Sequence, residues 1–172
     1  LNGYFIGTCY DGNKIFDMLK DKQYEESIII MNGSERQFEI TKLYSQTGFS
    51  PDETSLGYGI NVFQDSIGNT HHEYLVNFEY FTRVMENYGF VPLTTEEANN
   101  TGLPNGIGNF EDIFRQMENE VKVNEKLKYE YKRGIHMTHK EKQVSFLNNY
   151  FVYRKVRNVS AEKLEKNTLK KD

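Results

Sequence analysis

The chain has 172 residues, with 21 Lys and Arg against 25 Asp and Glu, a formal charge of −4, a single cysteine, and 12 Phe and 12 Tyr. The length suits one domain with a substantial core, and the acidic balance argues against a surface that grips long nucleic acid through many phosphate contacts, while leaving recognition of a single nucleotide open. The lone Cys9 excludes an internal disulfide framework and fits an intracellular compartment. No apolar run approaches the ~20 residues of a bilayer span, so no membrane partner is expected.

Asn2 to Cys9 is a nearly continuous apolar run between glycines, which predicts a strand buried on both faces of a sheet. A central strand should not open a domain, and the first residue is Leu1 rather than Met, so further sequence is expected upstream. Asp11, Gly12 and Asn13 offer capping chemistry for a short helix through Ile15, Phe16 and Leu19. Ser27 to Met31 and Gln37 to Tyr44 predict a hairpin turning at Asn32-Gly33-Ser34. A polar loop over Thr47 to Thr54 and a strand over Leu56 to Phe63 complete what reads as an antiparallel addition to the sheet.

The stretch Asn69-Thr70-His71-His72-Glu73-Tyr74-Leu75-Val76-Asn77 places one carboxylate, Glu73, between a polar turn and the clearest helix, Phe78 to Tyr88, capped by Asn77 and closed by Gly89. On local grounds Glu73 reads first as a helix-start charge; the alternative is an acceptor aimed into a pocket. Phe90 to Leu93 predicts a short strand, Asn99 to Gly108 a loop, and Phe110 to Val121 a helix behind Asn109. Lys122 to Arg133 is densely charged and undecided between helix and loop. Thr138 and Glu141 form a capping box before a last short helix, Asn149 to Val156 reads as the final strand, and residues 157–172 as a polar tail.

His71-His72 and His136-x-x-His139 lack a second ligand cluster, and adjacent histidines in a strand point to opposite faces, so no metal site is expected. Cys9 at a strand end invites a nucleophilic reading, but no activating base can be assigned, and a buried, inert thiol is the simpler account. No GxGxxG or P-loop is present.

Three ordered stretches resemble one family. Gly3-Tyr4-Phe5-Ile6-Gly7-Thr8, then Glu73-Tyr74-Leu75-Val76 with the helix and Tyr88-Gly89-Phe90 behind it, then Met137-Thr138 with Glu141 leading into the closing strand, are similar to the C-terminal half of mRNA cap guanine-N7 methyltransferases, most like those of large DNA viruses. The resemblance spans residues 1 to about 156 and implies an α/β fold: the C-terminal half of a Rossmann-like class I methyltransferase, a mixed sheet with an antiparallel insertion. Gly3 to Thr8 would be its fifth strand, and Phe90 to Leu93 with Tyr150 to Val156 its closing antiparallel pair.

It further implies that S-adenosylmethionine is held upstream of Leu1, that the partner is the RNA 5′ cap guanosine, and that other capping modules accompany the chain in the host cytoplasm or virion. Glu73 matches the family's guanine-contacting glutamate. Tyr58-Gly59 matches the cap-pocket aromatic, with Leu56-Gly57 as an alternative register, and the tyrosine opening the last strand falls on Asn148, or on Tyr150 after a two-residue shift. A non-catalytic scaffold or stimulatory subunit of the same fold is the alternative.

Overall fold

In a computed structural model, which describes residues 3–160, the chain folds as a mixed α/β assembly with two four-stranded sheets. Strand β1 (Tyr4–Tyr10) leads through Asp11 into helix α1 (Gly12–Met18). Strands β2 (Ser27–Asn32), β3 (Glu35–Leu43), β4 (Gly59–Gln64) and β5 (Thr70–Tyr74) form an antiparallel sheet in that order. Helix α2 (Phe78–Asn87) and strand β6 (Phe90–Pro92) follow. Then come α3 (Thr95–Asn99), β7 (Ile107–Asn109), α4 (Phe110–Val123), α5 (Leu127–Tyr131), a 3-10 turn over Lys132–His136, α6 (His139–Ser145) and β8 (Asn148–Lys155).

In the first sheet β8 is the middle strand. It pairs antiparallel with β1 along one edge, and with β6 and β7 along the other, so β1 and β6 run parallel to each other. Phe5 stacks on Phe151 at 5.4 Å, and Phe81 of α2 meets both Phe151 and Tyr153 edge-on at 5.5 Å, so aromatic rings fasten α2 to the sheet. Gly7 lies directly beneath Phe151, where a Cβ would come 2.5 Å from the ring. The second core lies between α1 and the inner face of the four-stranded insertion. Ile15 and Leu19 pack there against Phe38, Ile40, Ile60 and Val62, all essentially excluded from solvent. Lys42, also buried, donates from Nζ to the carbonyls of Leu19 and Lys22 and thereby ties off the end of α1.

The helix boundaries follow the capping signals. Asp11, Asn77 and Asn109 each accept a backbone N–H at the start of α1, α2 and α4, and Thr138 and Glu141 form the reciprocal box that opens α6. Several expectations need correction. Among the described residues β1 pairs only with β8, and Tyr4, Phe5 and Ile6 are 59%, 44% and 68% exposed, so this chain does not itself supply the double coverage expected of β1. Apolar continuity reports what a strand could bury, not which neighbours are there to cover it.

The insertion does not extend this sheet but forms its own, because residues 70–74 supply a fourth strand that completes it. Glu73 therefore lies inside β5, ahead of the cap Asn77; the acidic residue of the first turn of α2 is Glu79, which removes the helix-start reading. The loop expected over Asn99 to Gly108 is trimmed at both ends, by α3, which has its own capping box and ends at Asn99, and by the short β7, which begins at Ile107. The charged run resolves into the end of α4, then α5 and the 3-10 turn. Of the polar tail, residues 157–160 are described without regular structure and 161–172 lie outside the described residues.

Candidate functional site

The candidate site forms where the carboxyl end of β1 meets the inserted sheet. Asp11, leaving β1, donates its N–H to the carbonyl of Leu147 at 2.8 Å, and its carboxylate caps α1 and accepts from the Asn149 amide at 3.1 Å. The N–H of Gly12 donates to the carbonyl of Val76 at 3.1 Å, and a Cβ at Gly12 would lie 2.4 Å from that same oxygen. Only glycine lets the two backbones approach this closely. The contact fixes the chain three residues beyond Glu73 against the tip of β1.

In the register of the inserted sheet Glu73 stands opposite Ile60, so its side chain lies on the inner face with Lys42 and Ile60, while His72 and Tyr74 lie on the outer face. There His72 bonds Asn61 at 3.1 Å and rests edge-on against Tyr74. Glu73 is half-buried, and among the described residues no hydrogen bond or ion pair engages its carboxylate. Its charge is felt by two neighbours. Burial first, then Glu73 and Asp11, push the Cys9 thiol up to about 11, and burial followed by Glu73 pushes the Tyr10 phenol up to about 12. Cys9 is thus a protonated thiol at neutral pH, without the electropositive surroundings that would make it a nucleophile.

The other expected site residues are placed differently. Tyr58 is 4% exposed; its ring is stacked on Tyr44 at 5.0 Å and packed by Phe49, and its hydroxyl donates to the carbonyl of Gly48 at 2.8 Å. With neither face open, it supports the site from within the core. Tyr150 is also buried, its hydroxyl accepting the N–H of Asn105 at 3.3 Å above Gly108. Asn148 is half-buried and donates to the carbonyls of Val144 and Ser145, closing the end of α6. It lines a cleft of about 780 Å³ that runs from Thr8 on β1 to Arg133 and Met137. Glu73 and Asn148 thus flank the same end of β1, where Tyr10 pairs with Asn148.

Sequence reasoning missed Asn149. It is 8% exposed, pairs with Cys9 across the strands, and keeps its Oδ1 without a partner while its amide nitrogen serves Asp11. Its only sequence signal is alternation: residue 149 faces the opposite side of β8 from 148 and 150. Among the described residues no three His, Cys, Asp or Glu side chains gather as a metal-binding group, and no helix is long and apolar enough to cross a membrane.

No protein-family model matches this chain. Over 180 aligned residues it is 26% identical to a protein of Acanthamoeba polyphaga mimivirus described as a "probable mRNA-capping enzyme", an alignment that covers 92% of this chain and 15% of that protein. The chain is thus distantly related to a viral capping enzyme, of whose length it spans only a small part.

Proposed function

We propose that this chain is the cap-guanine-recognising part of an mRNA (guanine-N7)-methyltransferase. The observation that carries the reading is Glu73: a half-buried carboxylate with no protein partner among the described residues, held at the carboxyl end of β1 by the Gly12–Val76 contact. Substrates of open α/β sheets bind beyond the carboxyl ends of the strands. Guanine offers two adjacent donors there, ring N1 and exocyclic N2, which one carboxylate can accept together. Adenine presents the wrong pattern on the same edge.

The order β1-β8-β6, with β8 antiparallel between two parallel strands, supports assignment to the closing half of a Rossmann-like class I methyltransferase. The exposed apolar residues on β1 fit a sheet that continues beyond it in the full-length protein. S-adenosylmethionine would supply the methyl group. The glycine turn after β1 is filled by the Val76 carbonyl and offers no room for it, and the proposal assigns the cofactor to sequence outside this chain.

Guanine N7 is an unprotonated lone pair, so its methylation requires no general base from this chain. The contribution of Glu73 is to bind the base, reject adenine and fix the direction of N7, a gain from orientation. A non-catalytic scaffold is the competing reading, and it draws on the closed environments of Tyr58 and Tyr150. The two separate in an assay of the full-length protein with capped RNA and isotopically labelled S-adenosylmethionine. The label is expected in 7-methylguanosine after nuclease digestion; no transfer, or transfer to another position, overturns the proposal.

A further inference from the structure

The charge of this chain is unevenly distributed. Between Lys122 and Lys142 seven Lys and Arg stand against three Glu, a local net of +4 in a chain whose total is −4. The segment covers the end of α4, α5, the 3-10 turn and the start of α6. Its tip is a hollow of about 420 Å³ lined by Glu125, Lys126, Lys128, Tyr129 and His136, in which Tyr129 is 83% exposed. Lys128 pairs with Glu125 at 3.0 Å, whereas Lys126, Lys132 and Arg133 are exposed.

Arg133 also lines the larger cleft that reaches back to Thr8 and Asn148, beside the carboxyl end of β1. Arg133 thus places the basic ridge, with its open aromatic ring, at the rim of the cleft that reaches Thr8 and Asn148 and that also carries Asp65 and Glu141.

We propose that this ridge binds the single-stranded RNA that follows the cap, its lysines contacting phosphates and Tyr129 stacking on a base. The inference rests on the reading of the chain as part of a cap-modifying enzyme, which supplies RNA as the substrate. Charge complementarity favours a polyanion, and an exposed ring amid lysines is the arrangement by which proteins hold single strands without reading their sequence. A chain acidic overall gains from confining its basic surface to the path the transcript takes, because the remaining surface then repels misplaced RNA.

The test is binding of a 3′-labelled, ~20-nucleotide RNA to the full-length protein across a salt series, with and without a cap. The double substitution Lys126→Ala and Lys128→Ala is expected to weaken binding about tenfold and to flatten the dependence of log affinity on log salt by about 1.4, at roughly 0.7 per phosphate contact. Tyr129→Ala is expected to weaken it about tenfold with the salt slope unchanged. Capped and uncapped RNA should lose equally, binding of a free cap dinucleotide should be untouched, and Lys126→Arg with Lys128→Arg should restore affinity.

Unchanged RNA affinity in the alanine variants overturns the proposal, as does an equal loss for the free cap dinucleotide. Loss of a protein partner with RNA binding intact overturns it in favour of a protein contact. Should Glu73→Ala leave methylation intact while the ridge variants still lose RNA, the guanine reading fails and the ridge stands.

Discussion

Replacing Glu73 by alanine in the full-length protein is expected to lower methyl transfer to the cap by at least about a hundredfold, while S-adenosylmethionine binding and thermal stability stay near those of the parent. The magnitude follows from two hydrogen bonds to a charged acceptor, each worth about 1.5–3 kcal/mol when its partner is otherwise left unpaired. Stability should hold because no protein group in the described residues depends on this carboxylate. Glu73→Gln should be nearly as impaired, since an amide presents one acceptor and one donor to an edge that offers two donors.

The same variants carry an independent check on where Glu73 sits. Its negative charge opposes ionisation of Cys9, so neutralising it should lower the thiol from about 11 and speed alkylation by iodoacetamide at a fixed alkaline pH. Full methylation by Glu73→Ala contradicts the assignment. Unaltered Cys9 reactivity contradicts the geometry.

Tyr58→Ala is expected to destabilise the protein by about 3–5 kcal/mol, as for other large aromatics removed from a core. For a chain of this length that corresponds to a fall in Tm of about 6–20 °C. The ring is enclosed by Tyr44, Phe49 and Phe16, and its hydroxyl anchors Gly48, so the loss includes a cavity and a released loop. Tyr58→Phe keeps the ring and forfeits one hydrogen bond, a cost of about 1 kcal/mol. It should retain cap binding and methyl transfer at 25 °C. If Tyr58→Phe lost cap affinity with Tm unchanged, its hydroxyl would have to touch the cap, contrary to the packing observed.

The elements that were legible from sequence are those whose signals are local. Asn77, Asn109 and the Thr138–Glu141 pair announce helix starts because a side-chain oxygen two or three residues ahead of an orphan N–H has only one good use. The hairpin turning at Asn32-Gly33 is legible for the same reason. What eluded sequence reasoning depends on partners distant along the chain. Thr70 to Tyr74 looks like a polar turn and an apolar run, and becomes a strand because β4 offers it an edge. β1 has the composition of a doubly covered strand, yet only β8 pairs with it among the described residues.

At the site, Glu73 was legible as a residue of interest but not as a strand residue, and its inner-face placement follows only from the register with Ile60. Tyr58 was chosen because an aromatic precedes a glycine; the pattern holds, but three other rings close over it. Asn149 could not be distinguished from Asn148 until the strand fixed which of the two faces Cys9. Clustering of the basic residues around α5 was visible in the sequence as charge density, but its nearness to β1 exists only through Arg133, which lines the cleft that reaches Thr8.

The most direct test of the central claim compares the affinity of the full-length protein for a guanosine cap dinucleotide with that for its inosine counterpart, which lacks the N2 amino group, in the parent and in Glu73→Ala. The parent is expected to prefer guanosine by about tenfold to a hundredfold, the worth of one hydrogen bond to a charged acceptor, and Glu73→Ala to bind both weakly and alike. If the preference for guanosine persists undiminished in Glu73→Ala, another group reads the base, and the role assigned to Glu73 is wrong.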